Sequence, residues 1–387
     1  MAREKIPQIA VLVDTSRSYG RDIVQGIRRY ATEHGPWSLF LEPRDLMSQF
    51  PKWLEGWSGD GILARSGSAE MLSQLEATGL PVVELRTTSL KHGFPFVGMD
   101  NRQMGERVAG HLRSRGFQRF AGYLDPSERY FLERMERFVE VVNEEGFGCP
   151  VFEAFSPSRE MTWDEHQRAL ADWLVALEKP VGVFACSDQL GFWLLDAARR
   201  AGILVPEQVA VVGAENDSTL CETAWPPLSS VQFRGQAVGF AAAELLAEWM
   251  KSGKKEAPRM SVGLPTGDIV VRQSSEIVAV EDEQLARALF FIREHAAEGI
   301  GVKEVARAAC LSRSVLERRM MSVLGRSPGE EINRVKFRLV ENLLAQSDLT
   351  LAAIAERAGF EHPQYMAEAF KRRSGMTPGE FRKRRKI

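Results

Sequence analysis

From residue 6 to about 277, short apolar runs alternate with amphipathic stretches. The runs IAVLV (9–13), WSLFLE (37–42), GILA (61–64), PVVEL (81–85), FVGM (96–99), FAGYL (120–124), VGVFA (181–185) and VAVVGA (209–214) read as strands. Most are continuously apolar, as expected for a parallel sheet covered on both faces. Helical spacing marks 21–33, 102–115, 131–145, 164–177, 189–201 and 235–251, and a polar turn (251–258) precedes a last β-like run at 269–271. The alternation predicts a doubly wound α/β architecture, and its length predicts two similar lobes of parallel sheet, with ligands at the carboxyl ends of the strands. Around 274–284 the strand signals stop and the remaining pattern is helical, which predicts an α/β domain over 1–280 and an all-α domain over 281–387.

The helical end repeats itself. In its first unit Val302–Ala308 forms a short helix, Cys310 and Leu311 a turn, and Ser312–Val323 a second helix for which Ser312 is a suitable N-cap. In its second unit Leu351–Ala358 is the short helix, Gly359 can take a positive-φ turn position, and Pro363–Arg373 is the longer helix. A short helix, a turn and a longer helix, present twice, is a double helix-turn-helix plan. A helical stretch from Pro328 to Gln346 joins the units. At 1.5 Å per residue it reaches roughly 28 Å, close to the ~34 Å between successive major-groove faces on one side of B-DNA.

Charge agrees with this division. The chain carries a net charge of −2, but residues 285–387 hold 20 Lys and Arg against 12 Asp and Glu. The last quarter is thus +8 and the rest −10, a basic module for a polyanion on an acidic body.

Residues 290–387 resemble the AraC/XylS family of transcription regulators, most closely in IAERAGFE (354–361), FKR (370–372) and MTPGEFR (376–382). Carried over by position, the resemblance implies that the first recognition helix presents Ser314, Glu317 and Arg318 to bases, and the second Gln364, Tyr365 and Glu368. Arg313, Arg319, Lys371 and Arg372 are expected to contact phosphates. In two places the sequence departs from the family: Ser314 is smaller than the base-contacting residue some members carry, and Pro363 cannot make a polar base contact.

Residues 7–275 resemble the ligand-binding domain of LacI/GalR regulators and, more distantly, periplasmic sugar-binding proteins. The matching stretches are DTSRSY (14–19), GDGI (59–62), GMDN (98–101), HLRSRG (111–116), CSDQ (186–189), VGAEN (212–216) and PPLSSV (226–231), the last resembling a final crossing between lobes. About five residues precede the first strand, so the N-terminal DNA-binding position of that family is expected to be empty. The order of modules is similar to that of XylR-type regulators of xylose operons, as are the helix containing Arg134 and the placing of Trp163 before ADWL (171–174).

That resemblance implies a sugar pocket with Trp163 as stacking plate and Tyr19 as a second candidate. Arg134 would donate in fork geometry, Asp188 and Glu215 would accept from hydroxyls, and Asp100 and Asn101 would face the cleft. The residues themselves leave other roles open: Trp163 packing a helix, Asp188 capping one near Gln189, Arg134 as an exposed cation. Glu215 is one methylene longer than the Asp common in similar proteins, which changes pocket volume and carboxylate reach.

The remaining composition narrows the class. No run approaches the ~18–20 apolar residues of a membrane span, and the N-terminal apolar run is too short for a secretory signal. Cys149, Cys186, Cys221 and Cys310 lack metal-ligand spacing and read as reduced thiols, so a cytoplasmic protein without metal or cofactor is expected. Phosphate-loop and zinc-protease motifs are absent. The expectation is a homodimeric, sugar-responsive regulator of double-stranded operator DNA, an activator working with RNA polymerase, with D-xylose or a related pentose as effector. A repressor, a sensor of another small sugar, and a sugar-modifying enzyme fused to a DNA-binding module remain alternatives.

Overall fold

The computed structural model describes residues 6–45, 48, 51–154, 161–253, 257–258, 260–277 and 279–385. Part of the polar turn expected at 251–258 lies outside them. The chain forms two compact units, 1–206 with 210–276, and 207–209 with 277–387.

The first unit runs β1 (Gln8–Leu12), α1 (Ser18–His34), β2 (Ser38–Leu41), β3 (Gly61–Ala64), α2 (Ala69–Ala77), β4 (Val82–Glu84) and β5 (Phe96–Met99). It continues with α3 (Asn101–Ser114), β6 (Phe120–Leu124), α4 (Arg129–Glu144), β7 (Val151–Glu153), α5 (Trp163–Ala176), β8 (Val181–Ala185) and α6 (Asp188–Arg200). β9 (Val209–Glu215), α7 (Ser218–Thr223), β10 (Ser229–Gln232), α8 (Gly235–Ser252), β11 (Ser261–Leu264) and β12 (Ile269–Val270) complete it. The strands form two six-stranded sheets, ordered β11-β5-β4-β3-β1-β2 and β12-β10-β9-β8-β6-β7. Among the described residues all pairings are parallel except β10 with β12.

Continuous apolar runs become buried central strands: β1, β3, β6 and β8 lie inside apart from the first residue of β1. Three strands lack that signal. β10 reads as polar SSVQ, yet Ser229 and Ser230 are buried with their hydroxyls bonded, and β7 and β11 are short, partly exposed edges. The chain crosses between lobes three times, from β5 into α3, from β10 into α8 and from β11 to β12. α8 returns against α1 at a close crossing. A Cβ on Gly26 would stand 2.0 Å from the Gln236 carbonyl oxygen, and one on Gly239 2.0 Å from that of Ile23. Only glycines let these backbones approach so closely.

The second unit is helical: α9 (Glu283–His295), α10 (Val302–Ala308), α11 (Arg313–Leu324), α12 (Pro328–Gln346), α13 (Leu351–Arg357), α14 (Pro363–Ser374) and α15 (Pro378–Arg385). It has two apolar clusters. Leu285, Ile292, Val305, Leu316, Met320 and Ile332 centre the first, and Phe337, Val340, Leu344, Ile354, Met366 and Phe370 the second. α12 serves both, its early residues packing into one and its later ones into the other.

Candidate functional site

The strand ends of both lobes converge on one cavity. From the first lobe come Arg17 and Tyr19 after β1, Arg65 after β3, Leu85 and Thr87 after β4, and Met99 and Asn101 around the end of β5. The second lobe supplies Tyr130 and Arg134 from α4, Glu215 at the end of β9, and Phe233 after β10. Ligands of open parallel sheets bind at these carboxyl ends. About 30 Å³ is left among the side chains for the centres of water-sized molecules.

Arg134 is the buried centre of the site. It donates from Nε to Asn101 Oδ1 at 3.0 Å, and from Nη1 to the Cys186 carbonyl at 2.7 Å and Glu215 Oε1 at 3.4 Å. Its guanidinium lies about 5 Å from the ring centres of Tyr130, Phe131 and Phe233. Glu215 also faces Arg17 at 3.8 Å, which pairs the two lobes across the cleft, as does the Ser18 hydroxyl donating to Asp217 Oδ2 at 2.8 Å. Arg65 pairs with Asp14 and lies over the Tyr19 ring, which meets Phe233 edge-on at 4.7 Å. Burial pushes the Tyr19 and Tyr130 hydroxyls up to about 12, so both remain neutral donors. Glu215 and Asn216 adopt φ of 113° and 53°, strained backbone for residues with a side chain, of the kind that gathers at binding sites.

In the second unit, α11 and α14 each follow a short helix and a turn whose φ is positive, at Cys310 (54°) and Gly359 (71°). Gly325 and Gly375 end the two longer helices in the left-handed conformation. On α14 Gln364, Tyr365, Glu368, Lys371 and Arg372 are all exposed, and Tyr365 keeps 60% of its surface. Spacings of three and four residues put Gln364, Glu368, Lys371 and Arg372 on one face.

Three families match consecutive parts of the chain: an XylR N-terminal domain over residues 8–101, a periplasmic binding protein-like domain over 109–275 and a helix-turn-helix domain over 305–384. The xylose operon regulatory protein of Escherichia coli K12 is 28% identical over 97% of this chain and 96% of its own length. That of Haemophilus influenzae is 28% identical over 98% and 99%. The solved structure of the xylose-binding transcription activator XylR superimposes with a TM-score of 0.84 at 27% identity, covering 98% of both chains. The chain has the architecture of the XylR-type regulators. It joins a periplasmic-binding-protein-like sensor to an AraC-type DNA-binding domain, and is a sugar-responsive transcription regulator, not an enzyme. Its two modules imply DNA and a sugar effector as partners.

The expected pocket residues separate into two groups. Tyr19, Asn101, Arg134 and Glu215 line the cavity. Asp100 caps α3 by accepting from Gln103 N at 2.9 Å. Asp188 is wholly buried, accepting from Ser230 Oγ at 2.5 Å and Asp217 N at 2.7 Å. Ser187 and not Asp188 caps α6. Burial first, and then the neighbouring Glu215 carboxylate, push Asp188 up to about 8. Trp163 opens α5, packs edge-on against Trp193 at 4.9 Å and is not among the residues lining the cavity, whose aromatic rings are those of Tyr19, Tyr130 and Phe233. Arg17 and Arg65 went unread although each follows a predicted strand, where the strand-end rule points.

On the DNA-binding side, Ser314 and Arg318 are exposed, while Glu317 is partly buried and pairs with Arg313 at 2.8 Å. Arg319 is turned toward the start of α9, donating to Asp282 Oδ2 at 2.6 Å and Gln284 Oε1 at 3.3 Å.

Proposed function

We propose that this regulator activates genes of pentose breakdown, with a pentose-sized sugar as effector and D-xylose the first to test. The observation that carries the reading is Arg134, buried between aromatic rings and holding Asn101 and Glu215 at the strand ends. Tyr19, Asn101, Arg134 and Glu215 contact the effector; Asp188 and Asp100 hold the loops on which they stand. The effector enters the open cleft and stabilises its closed form by its differential affinity for that form. Closure alters how two chains pair as a homodimer in the cytoplasm, and thereby how two operator half-sites are engaged and RNA polymerase is recruited. Ser314, Glu317, Arg318, Gln364, Tyr365 and Glu368 read bases, while Arg313, Lys371 and Arg372 meet phosphates and Arg319 braces the start of α9 through Asp282.

A thermal-shift panel of pentoses and hexoses on the full chain tests the sensor. A sugar at 100 times its Kd should add about 2.7 kcal/mol, and the absence of a shift with every pentose would overturn a neutral pentose as the effector. On DNA, Arg318→Ala should relax specificity at one base position, whereas Lys371→Ala should weaken all sequences alike and lower the salt slope by about one. A base-resolved titration showing the reverse pattern would exchange the two roles.

A further inference from the structure

The charges around the effector cavity do not balance. Among the described residues three guanidiniums, of Arg17, Arg65 and Arg134, line it with one carboxylate, Glu215. Asp14 pairs with Arg65, and Asp188, buried and already accepting from Ser230 Oγ and the Asp217 amide, does not line the cavity. Glu215 must therefore serve both Arg17 and Arg134, at 3.8 and 3.4 Å. Neither distance is that of a close charge-assisted bond.

The donors point the same way. The Arg65 side chain is only 8% exposed, and its buried Nε–H has no acceptor among the described residues. A buried donor without an acceptor is unfavourable, and one that lines a binding cavity is satisfied by an acceptor brought by the ligand. Arg17, 44% exposed and loosely held, can swing to a new partner with little loss. A neutral sugar brings hydroxyls, which donate as well as accept. A carboxylate only accepts, presents two oxygens to a guanidinium fork, and supplies the missing negative charge.

We infer that the preferred effector is an acidic monosaccharide, a pentose- or hexose-sized polyol bearing one carboxylate that Arg65 and Arg17 receive, while Arg134 and Glu215 hold its hydroxyls. The inference rests on the cleft being the effector site and sets a sugar acid in place of the neutral pentose named first for that site.

The test is calorimetric titration of the full-length protein, at low salt, with neutral and acidic partners of the same skeleton. These are D-xylose against D-xylonate and D-glucose against D-glucuronate, with glucose 6-phosphate alongside. In at least one pair the acid should bind about tenfold tighter or more, the gain of one charge-assisted hydrogen bond. Arg17→Gln, a change at a half-exposed side chain that leaves the fold intact, should shrink the acid-to-neutral ratio. Neutral sugars binding as tightly as their acids would overturn the inference and leave the sugar-sensor reading standing. Binding of glucose 6-phosphate with neither carboxylate would overturn the assignment to sugar acids in favour of phosphate. Silence from every ligand would remove the inference together with the reading of the cleft.

Discussion

The two helix-turn-helix units solve the same packing problem with different residues. After the recognition helix, Gly325 answers to Gly375, Ser327 to Thr377, Pro328 to Pro378 and Glu330 to Glu380, and both stretches start the next helix with the same side-chain cap. The next position differs. Glu331 is buried between Arg326 and Arg334, whereas its counterpart Phe381 packs on Phe370, ring to ring at 5.4 Å. The turns differ too: Cys310 holds a positive φ in the first unit and Gly359 in the second. Local signals of helix start and stop are thus shared, while burial at the joint is ionic in one unit and apolar in the other. The repeat preserves geometry and leaves the chemistry free to vary.

The turns should give the largest effect. A Cβ on Gly359 would stand 2.4 Å from the Ala297 carbonyl oxygen, on top of the strain of its left-handed backbone. Gly359→Val should destabilise the second unit by about 3 kcal/mol or more and abolish operator binding. Cys310→Gly, at the matching turn, relieves the same backbone strain but frees the unfolded chain, and should change stability by less than about 1 kcal/mol. Chemical denaturation of both variants checks the contrast. A mild Gly359→Val would mean that the two turns are under equal constraint.

The joint comes next. Burial alone would raise the Glu331 carboxyl, but the Arg334 and Arg326 guanidiniums outweigh it and hold the group below its ordinary range. Its folded pKa is therefore below its unfolded one. The stabilisation is present above the unfolded value near 4.5 and disappears as pH falls through the folded value. Glu331→Gln should cost about 1–2 kcal/mol at neutral pH, because both cations are partly solvated and retain water. It should also flatten the acid limb of the stability curve. Phe381→Leu, the counterpart change, should lower stability equally at every pH. Denaturation between pH 3 and 7 separates the two, and a Glu331→Gln variant with an unaltered acid limb would remove the ionic account.

How far the sequence could be read follows from which interactions are local. Parallel central strands announce themselves because burial on both faces demands unbroken apolar runs such as VGVFA. β10 is hidden because its serines are buried through partners distant in sequence, Arg272 and Asp188. Arg134 and Glu215 were legible through a resemblance that carries their spacing. Arg65 was not, because its meaning comes from Asp14 and Tyr19, brought to it by the pairing of β1 with β3. Asp188 was expected to accept from a ligand, with a helix cap as its local alternative, but contacts 29 and 42 residues away hold it in the structure.

The smallest contrast lies at the starts of the recognition helices. Ser312 caps α11 by accepting from Val315 N, but at 3.4 Å the bond is long. Ser312→Ala should therefore fall at the low end of cap losses, about 0.5 kcal/mol. At the matching place His362 makes no side-chain cap, and Pro363, the first residue of α14, has no N–H to satisfy. His362→Ala should then change little, and His362→Ser should gain about 0.5 kcal/mol by capping the free amides that follow. Amide hydrogen exchange resolves both helices within one molecule. Exchange in α11 should quicken in the first variant, and exchange in α14 should slow in the last. If His362→Ala instead quickens exchange in α14, the imidazole is capping that helix after all, and the two recognition helices begin by the same device.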